Sequence, residues 1–127
     1  MERFLWVCLG GAAGTGVRYL VSEGALRIFG NAWPWGTLAV NVAGCLLMGA
    51  LMQAALTTAS IGPTLRFALG TGFLGGLTTY SAFDWEATAM VRSGAHARAA
   101  LYLGVTVVGC FLAGLIGAWA ARRVLGA

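Results

Sequence analysis

Asn41, Thr78, Thr79, Tyr80, Ser81 and Phe83 are the residues of this chain whose types and spacing could handle an ion. All but Asn41 belong to one run, Gly72-Phe73-Leu74-Gly75-Gly76-Leu77-Thr78-Thr79-Tyr80-Ser81-Ala82-Phe83, set in apolar sequence that starts at Leu65 and resumes to Val91. Gly75-Gly76 disfavours a continuous helix, so a break is expected there. Thr78, Thr79 and Ser81 can bond their own backbone and hold an irregular turn. At membrane depth such a turn survives only where it is buried or lines a polar site, and it aims carbonyls and helix ends at ions. Carbonyls freed from helix bonding are good ligands for a hard cation such as Na⁺. The alternative is that the hydroxyls merely cap the break.

Asn41 lies well inside the preceding apolar segment, with Gln53 farther along. It has two uses: an interhelical hydrogen bond, worth roughly 0.6 kcal/mol on average, or donation to an anion through its NH₂ group. Tyr80 and Phe83 are three apart and share a helix face. They either pack as apolar bulk or present positive ring edges to a dehydrated anion. Asp84 and Glu86 follow, and a charge in a membrane segment is costly enough to mark function unless it reaches the interface or an Arg. Arg18 either snorkels to the surface or makes a vestibule electropositive. His96 has no neighbour in sequence that would make it a catalytic base. The sequence has no Ser-His-Asp set, metal-ligand cluster or phosphate-binding loop, so no enzyme is expected.

The elements that must position these residues are apolar helices. The chain has 127 residues, 59% hydrophobic and 9% charged, with mean hydropathy +0.82, too apolar for a water-soluble domain. Four segments near the roughly 20-residue membrane length are expected at about 4–29, 36–59, 65–91 (the broken one) and 99–121, forming one bundle over 1–127. Gly30-Asn31 with Pro34, Ser60-Ile61-Gly62-Pro63 and Ser93-Gly94 supply the turns. Trp6, Trp33, Trp35, Trp85 and Trp119 lie toward segment ends and read as interfacial anchors. Arg3 before the first apolar run resembles a signal peptide, but the further segments favour an uncleaved helix. Cys8, Cys45 and Cys110 are too far apart for a metal knuckle and odd in number for a disulfide framework. The net charge is +4, yet the Arg residues are scattered, which argues against nucleic acid.

With four crossings, Arg3, Arg66, Arg122 and Arg123 fall on one side of the bilayer. Arg27, Arg92 and Arg98 fall on the other, with Arg18 nearby. The positive-inside rule then gives almost no preference. Insertion in both orientations follows as a hypothesis, with an antiparallel dimer as its product. Small-xxx-small spacings at Gly10/Gly14, Gly72/Gly76, Gly109/Ala113 and Ala113/Gly117 favour close helix packing and an oligomer in which the broken segments meet.

Over essentially its whole length the chain resembles the Fluc (CrcB) fluoride-channel family. The resemblance is carried by Gly10-Gly11 to Gly14 and Arg18-Tyr19, by Trp35-Gly36-Thr37-Leu38 through Asn41 to Gly44, and most specifically by Thr71 to Phe83. It implies an all-α membrane protein of four transmembrane helices with a broken third helix, assembled as an antiparallel, dual-topology homodimer with two fluoride pores. It implies a central, non-transported Na⁺ held by backbone carbonyls at Gly75 and Thr78. Pore roles fall to Asn41, Tyr80, Ser81 and Phe83, and a vestibule role to Arg18. Glu86 matches an acidic position, and Thr37, Thr79 and Cys110 are further candidates for polar lining. The chain departs from the family pattern at Tyr80 (usually Phe), Ala82 (usually Thr) and Asp84 (usually Ser), and at Cys110 and Gly114, where hydroxyl residues are common. A carboxylate facing the pore would repel fluoride, so Asp84 is expected to face away or be neutralised.

The implied activity is passive export of fluoride from the cytoplasm through a multi-pass protein of the cell inner membrane. Two rivals remain. A small multidrug-type proton-coupled antiporter needs a membrane-embedded carboxylate in its first helix, and Glu23 lies near that segment's end. A non-transporting scaffold explains the glycines but not Asn41 or the hydroxyl run.

Overall fold

The computed structural model describes residues 1–126. Helix α1 (Glu2–Phe29) is uninterrupted by proline and stops at Gly30, whose positive φ of 69° suits glycine. After the Trp33-Pro34 turn, α2 runs over Trp35–Thr57. Pro63 opens α3 (Pro63–Phe67), where its missing N–H costs nothing. The backbone then widens into a π-helical segment, Ala68–Leu74, and tightens again in the short α4, Gly75–Leu77. Thr78 and Thr79 are extended, with ψ of 157° and 119°. Helix α5 (Tyr80–Arg92) restarts at once, its N-terminus capped by Thr79 Oγ1, which accepts from the Ala82 N–H at 3.2 Å. Ser93-Gly94 turns the chain into α6, His96–Leu125.

Among the described residues, three helices are long and apolar enough to cross a bilayer: α1, α2 and α6. Most of each apolar stretch faces outward, the reverse of a water-soluble core. The third segment contributes no such helix, because it is divided among α3, the π-helical segment, α4 and α5. The position of its break corrects the expectation from sequence. Gly75 and Gly76 stay helical, and the chain opens at Thr78-Thr79.

Packing explains the difference. A Cβ at Gly76 would overlap the Gly11 carbonyl of α1, and one at Gly14 would overlap the Phe73 carbonyl. Gly10 and Gly72 likewise approach through their Cα atoms. The paired glycine stripes of segments one and three therefore serve one intrachain seam. The stripe on α6 is used in the same way, with Gly117 lying against the Leu46 carbonyl of α2. Helices α2 and α6 run in the same direction: Val42 meets Gly109, Cys45 meets Gly114 and Leu46 meets Gly117. Two small buried clusters fill the interior, Val40 with Leu74 and Leu77, and Phe83 with Ala87 and Tyr102.

Candidate functional site

The break is braced by one side chain. Asn41 is buried on α2, accepts the Thr79 N–H on Oδ1 at 2.7 Å and donates from Nδ2 to the Thr79 carbonyl at 3.0 Å. The amide thus imitates a strand partner for an extended residue that has left the helix ladder. A continuous helix would commit the Thr79 N–H to the Gly75 carbonyl, and here it does not. Among the described residues, no hydrogen-bond donor reaches the carbonyls of Gly75 or Thr78. The Gly76 carbonyl is answered differently: Arg18 Nε donates to it at 3.1 Å and Thr15 Oγ1 lies at 3.5 Å. Arg18 thereby holds its guanidinium at the C-terminal end of α4.

Below Asn41 the polar side chains form a ladder. Thr37, Asn41 and Cys45 follow one another at four-residue spacing on α2, and Tyr102, Thr106 and Cys110 do so on α6. Four-residue spacing keeps each set on one helix face. The first rung is closed by α5: Thr37 Oγ1 and Tyr102 Oη each donate to Glu86, at 2.7 Å to Oε1 and 2.7 Å to Oε2. One carboxylate therefore ties three helices, and its charge is matched by two hydroxyl donors.

The next two rungs line a cavity of about 260 Å³, together with Thr78, Thr79, Tyr80, Phe83 and Val107. Thr106 Oγ1 is buried in its wall and has no partner among the described residues. Asn41 also keeps one Nδ2 hydrogen uncommitted. Phe83 is buried, with its ring edge-on to Tyr80 (centroids 5.7 Å apart) and to Tyr102 (5.1 Å). Tyr80 itself is 79% exposed on the outer face of the chain. Ser81 is exposed, 3.3 Å from Thr79 Oγ1, and lines neither this cavity nor the second one. The second cavity, about 460 Å³, begins at Thr37 and Glu86 and opens past Ser22, Trp33 and Arg98. Phe83 lines the smaller cavity and Glu86 the larger, and the buried Tyr102 lines neither.

Asp84 is exposed and lines neither cavity, as its charge requires. Trp33 departs from the interfacial reading. Its ring packs edge-on against Tyr102 at 5.5 Å, and its buried Nε1 finds no acceptor among the described residues. Tyr102 and Thr106 were not singled out from sequence, although their spacing to Cys110 was the available signal.

Comparison with known proteins supplies the family. Residues 5–118 match the family model described as CrcB-like protein, Camphor Resistance (CrcB). This chain belongs to the CrcB family. It is 52% identical over 113 residues to the fluoride-specific ion channel FluC of Anaeromyxobacter sp. (strain K), covering 89% of this chain and 90% of the relative. It is 46% identical over 125 residues to FluC of Sorangium cellulosum (strain So ce56), covering 98% of each. FluC of Chelativorans sp. (strain BNC1) is 44% identical over 125 residues, covering 98% of this chain and 100% of the relative. The CrcB family is one of ion channels, not of enzymes.

Proposed function

We propose that this CrcB-family chain is a fluoride-specific channel that lets fluoride leave the cytoplasm passively. The observation that carries the reading is the cavity beneath the break. It pairs an unpartnered Thr106 hydroxyl with a free Asn41 N–H and the Phe83 ring edge. A selective pore must replace a small anion's hydration without trapping it. Neutral donors and ring edges do that, whereas a buried cation would hold fluoride too tightly. Glu86 lines the larger cavity with both oxygens already accepting hydrogen bonds, which tempers its repulsion of an anion.

The break fits the structural Na⁺ that the family implies. Gly75 and Thr78 offer carbonyls without donors, the oxygen chemistry a hard cation needs. Bound there, Na⁺ would supply positive field without entering the anion route. The exposed face with Tyr80 and Ser81 then becomes the seat of a second, antiparallel copy, and the broken third segment makes a fourth crossing of the inner membrane. The antiporter reading loses support because Glu23 is engaged in a surface pair with Arg27, 3.7 Å away on the same helix.

The test is fluoride efflux from proteoliposomes, followed with a fluoride electrode in Na⁺ and Na⁺-free buffer. Rapid efflux that falls when Na⁺ is removed is expected. Folded, reconstituted protein that releases no fluoride would overturn the channel reading. Fast efflux indifferent to Na⁺ would overturn the cation site alone.

A further inference from the structure

We propose that Cys45 and Cys110 form a two-coordinate site for a thiophilic divalent cation with a filled d shell. The ladder places the pair. Thr37 and Tyr102 share Glu86, Asn41 and Thr106 share the smaller cavity, and Gly49 meets the Gly114 carbonyl. These pairs are separated by one constant sequence interval on two helices running the same way, and Cys45 with Cys110 is the remaining rung. Both cysteines line the same cavity, at the sequence interval that pairs the other rungs. Both are free, and Cys8 stands apart, exposed on α1.

The chemistry selects the occupant. Thiolates prefer soft cations, so Na⁺ does not compete. Among the described residues there is no group of three or more His, Cys, Asp and Glu side chains that could hold a metal. Zn²⁺, which asks for four ligands, is therefore disfavoured against an ion content with linear S–M–S bonding. Binding breaks two S–H bonds, forms two S–M bonds and releases two protons to water; nothing is oxidised. Two thiolates and one divalent cation sum to zero charge, which a low-dielectric wall tolerates and a singly charged metal would not achieve. The metal would narrow the route past Asn41 and Thr106, a consequence that rests on the channel reading.

The test uses the full chain carrying Cys8→Ala, with Hg²⁺ as the probe, excess monothiol as competitor and native mass spectrometry as readout. One Hg²⁺ per chain, with two protons lost, is expected to survive the monothiol. Cys45→Ala and Cys110→Ala should each weaken retention by about 100-fold or more, because the second thiol acts at high effective concentration. Cys→Ser versions check that the loss follows the thiol rather than the fold. Zn²⁺ should not be retained. Two Hg²⁺ per chain, none, or equal retention by the single-cysteine variants would overturn the site. In proteoliposomes, Hg²⁺ should stop fluoride efflux and a dithiol should restore it. Bound metal with unchanged efflux would overturn its place in the ion route. Binding is measured without flux, so a failure of the channel reading would leave the metal site standing or falling on its own result.

Discussion

Asn41 and Thr106 line the same cavity and differ in what they already hold. Asn41 is committed to the Thr79 N–H and carbonyl, whereas the Thr106 hydroxyl is buried with no partner among the described residues. Asn41→Leu would strand two backbone groups, each costing about 1–3 kcal/mol when buried. It should therefore lower both stability, read by denaturation in detergent, and fluoride flux. Thr106→Val removes a hydroxyl that holds nothing in the fold, so stability should stay the same or rise slightly while flux falls. Unchanged flux in Thr106→Val would remove that hydroxyl from the ion route. The sequence showed Asn41 as an intramembrane amide with two open uses, and the structure shows the bracing use directly. It could not show Thr106, because a lone Thr in an apolar helix says nothing until the helix facing it is known.

The break and the glycine seam belong to the scale of elements. The composition of the run from Gly72 to Phe83 made an interruption legible, but its placement depended on what α1 does. Gly75 and Gly76 are poor helix formers alone. Packed on Gly11, however, the backbone stays helical, and the departure from the helix falls on Thr78 and Thr79, whose hydroxyls bond the Leu74 carbonyl and the Ala82 N–H. The preceding π-helical turn had no sequence signal that could be separated from an ordinary glycine-rich helix. Gly76→Ala should drive a methyl into the Gly11 carbonyl and destabilise by about 1–3 kcal/mol. Gly16→Ala, which has open space around it, should be neutral or stabilise by about 0.5–1 kcal/mol as a helix-interior change. Thermal melts of the two variants in one detergent check the contrast. Equal effects would mean that the seam does not confine Gly76.

For the whole molecule, composition alone separated a membrane protein from a soluble one, and the outward apolar faces of α1, α2 and α6 agree. The number of crossings was less legible, because the broken segment yields no single helix of membrane length. The glycine stripes, read as signs of an oligomer, turn out to be used within the chain. What remains in favour of an antiparallel pair is the near-equal Arg distribution and the exposed aromatic Tyr80 beside the break. Tags at the two termini, tested for accessibility in intact vesicles, should each be found on both sides of the membrane. A single fixed orientation would rule out the dual-topology assembly.

The central claim is that the cavity joining Asn41, Phe83 and Thr106 carries fluoride and little else. Its most direct test is the reversal potential of current through the reconstituted protein in a planar bilayer, with opposed fluoride and chloride gradients. Reversal is expected at the fluoride equilibrium potential. Reversal at the chloride potential, or no current from folded protein, would contradict the claim.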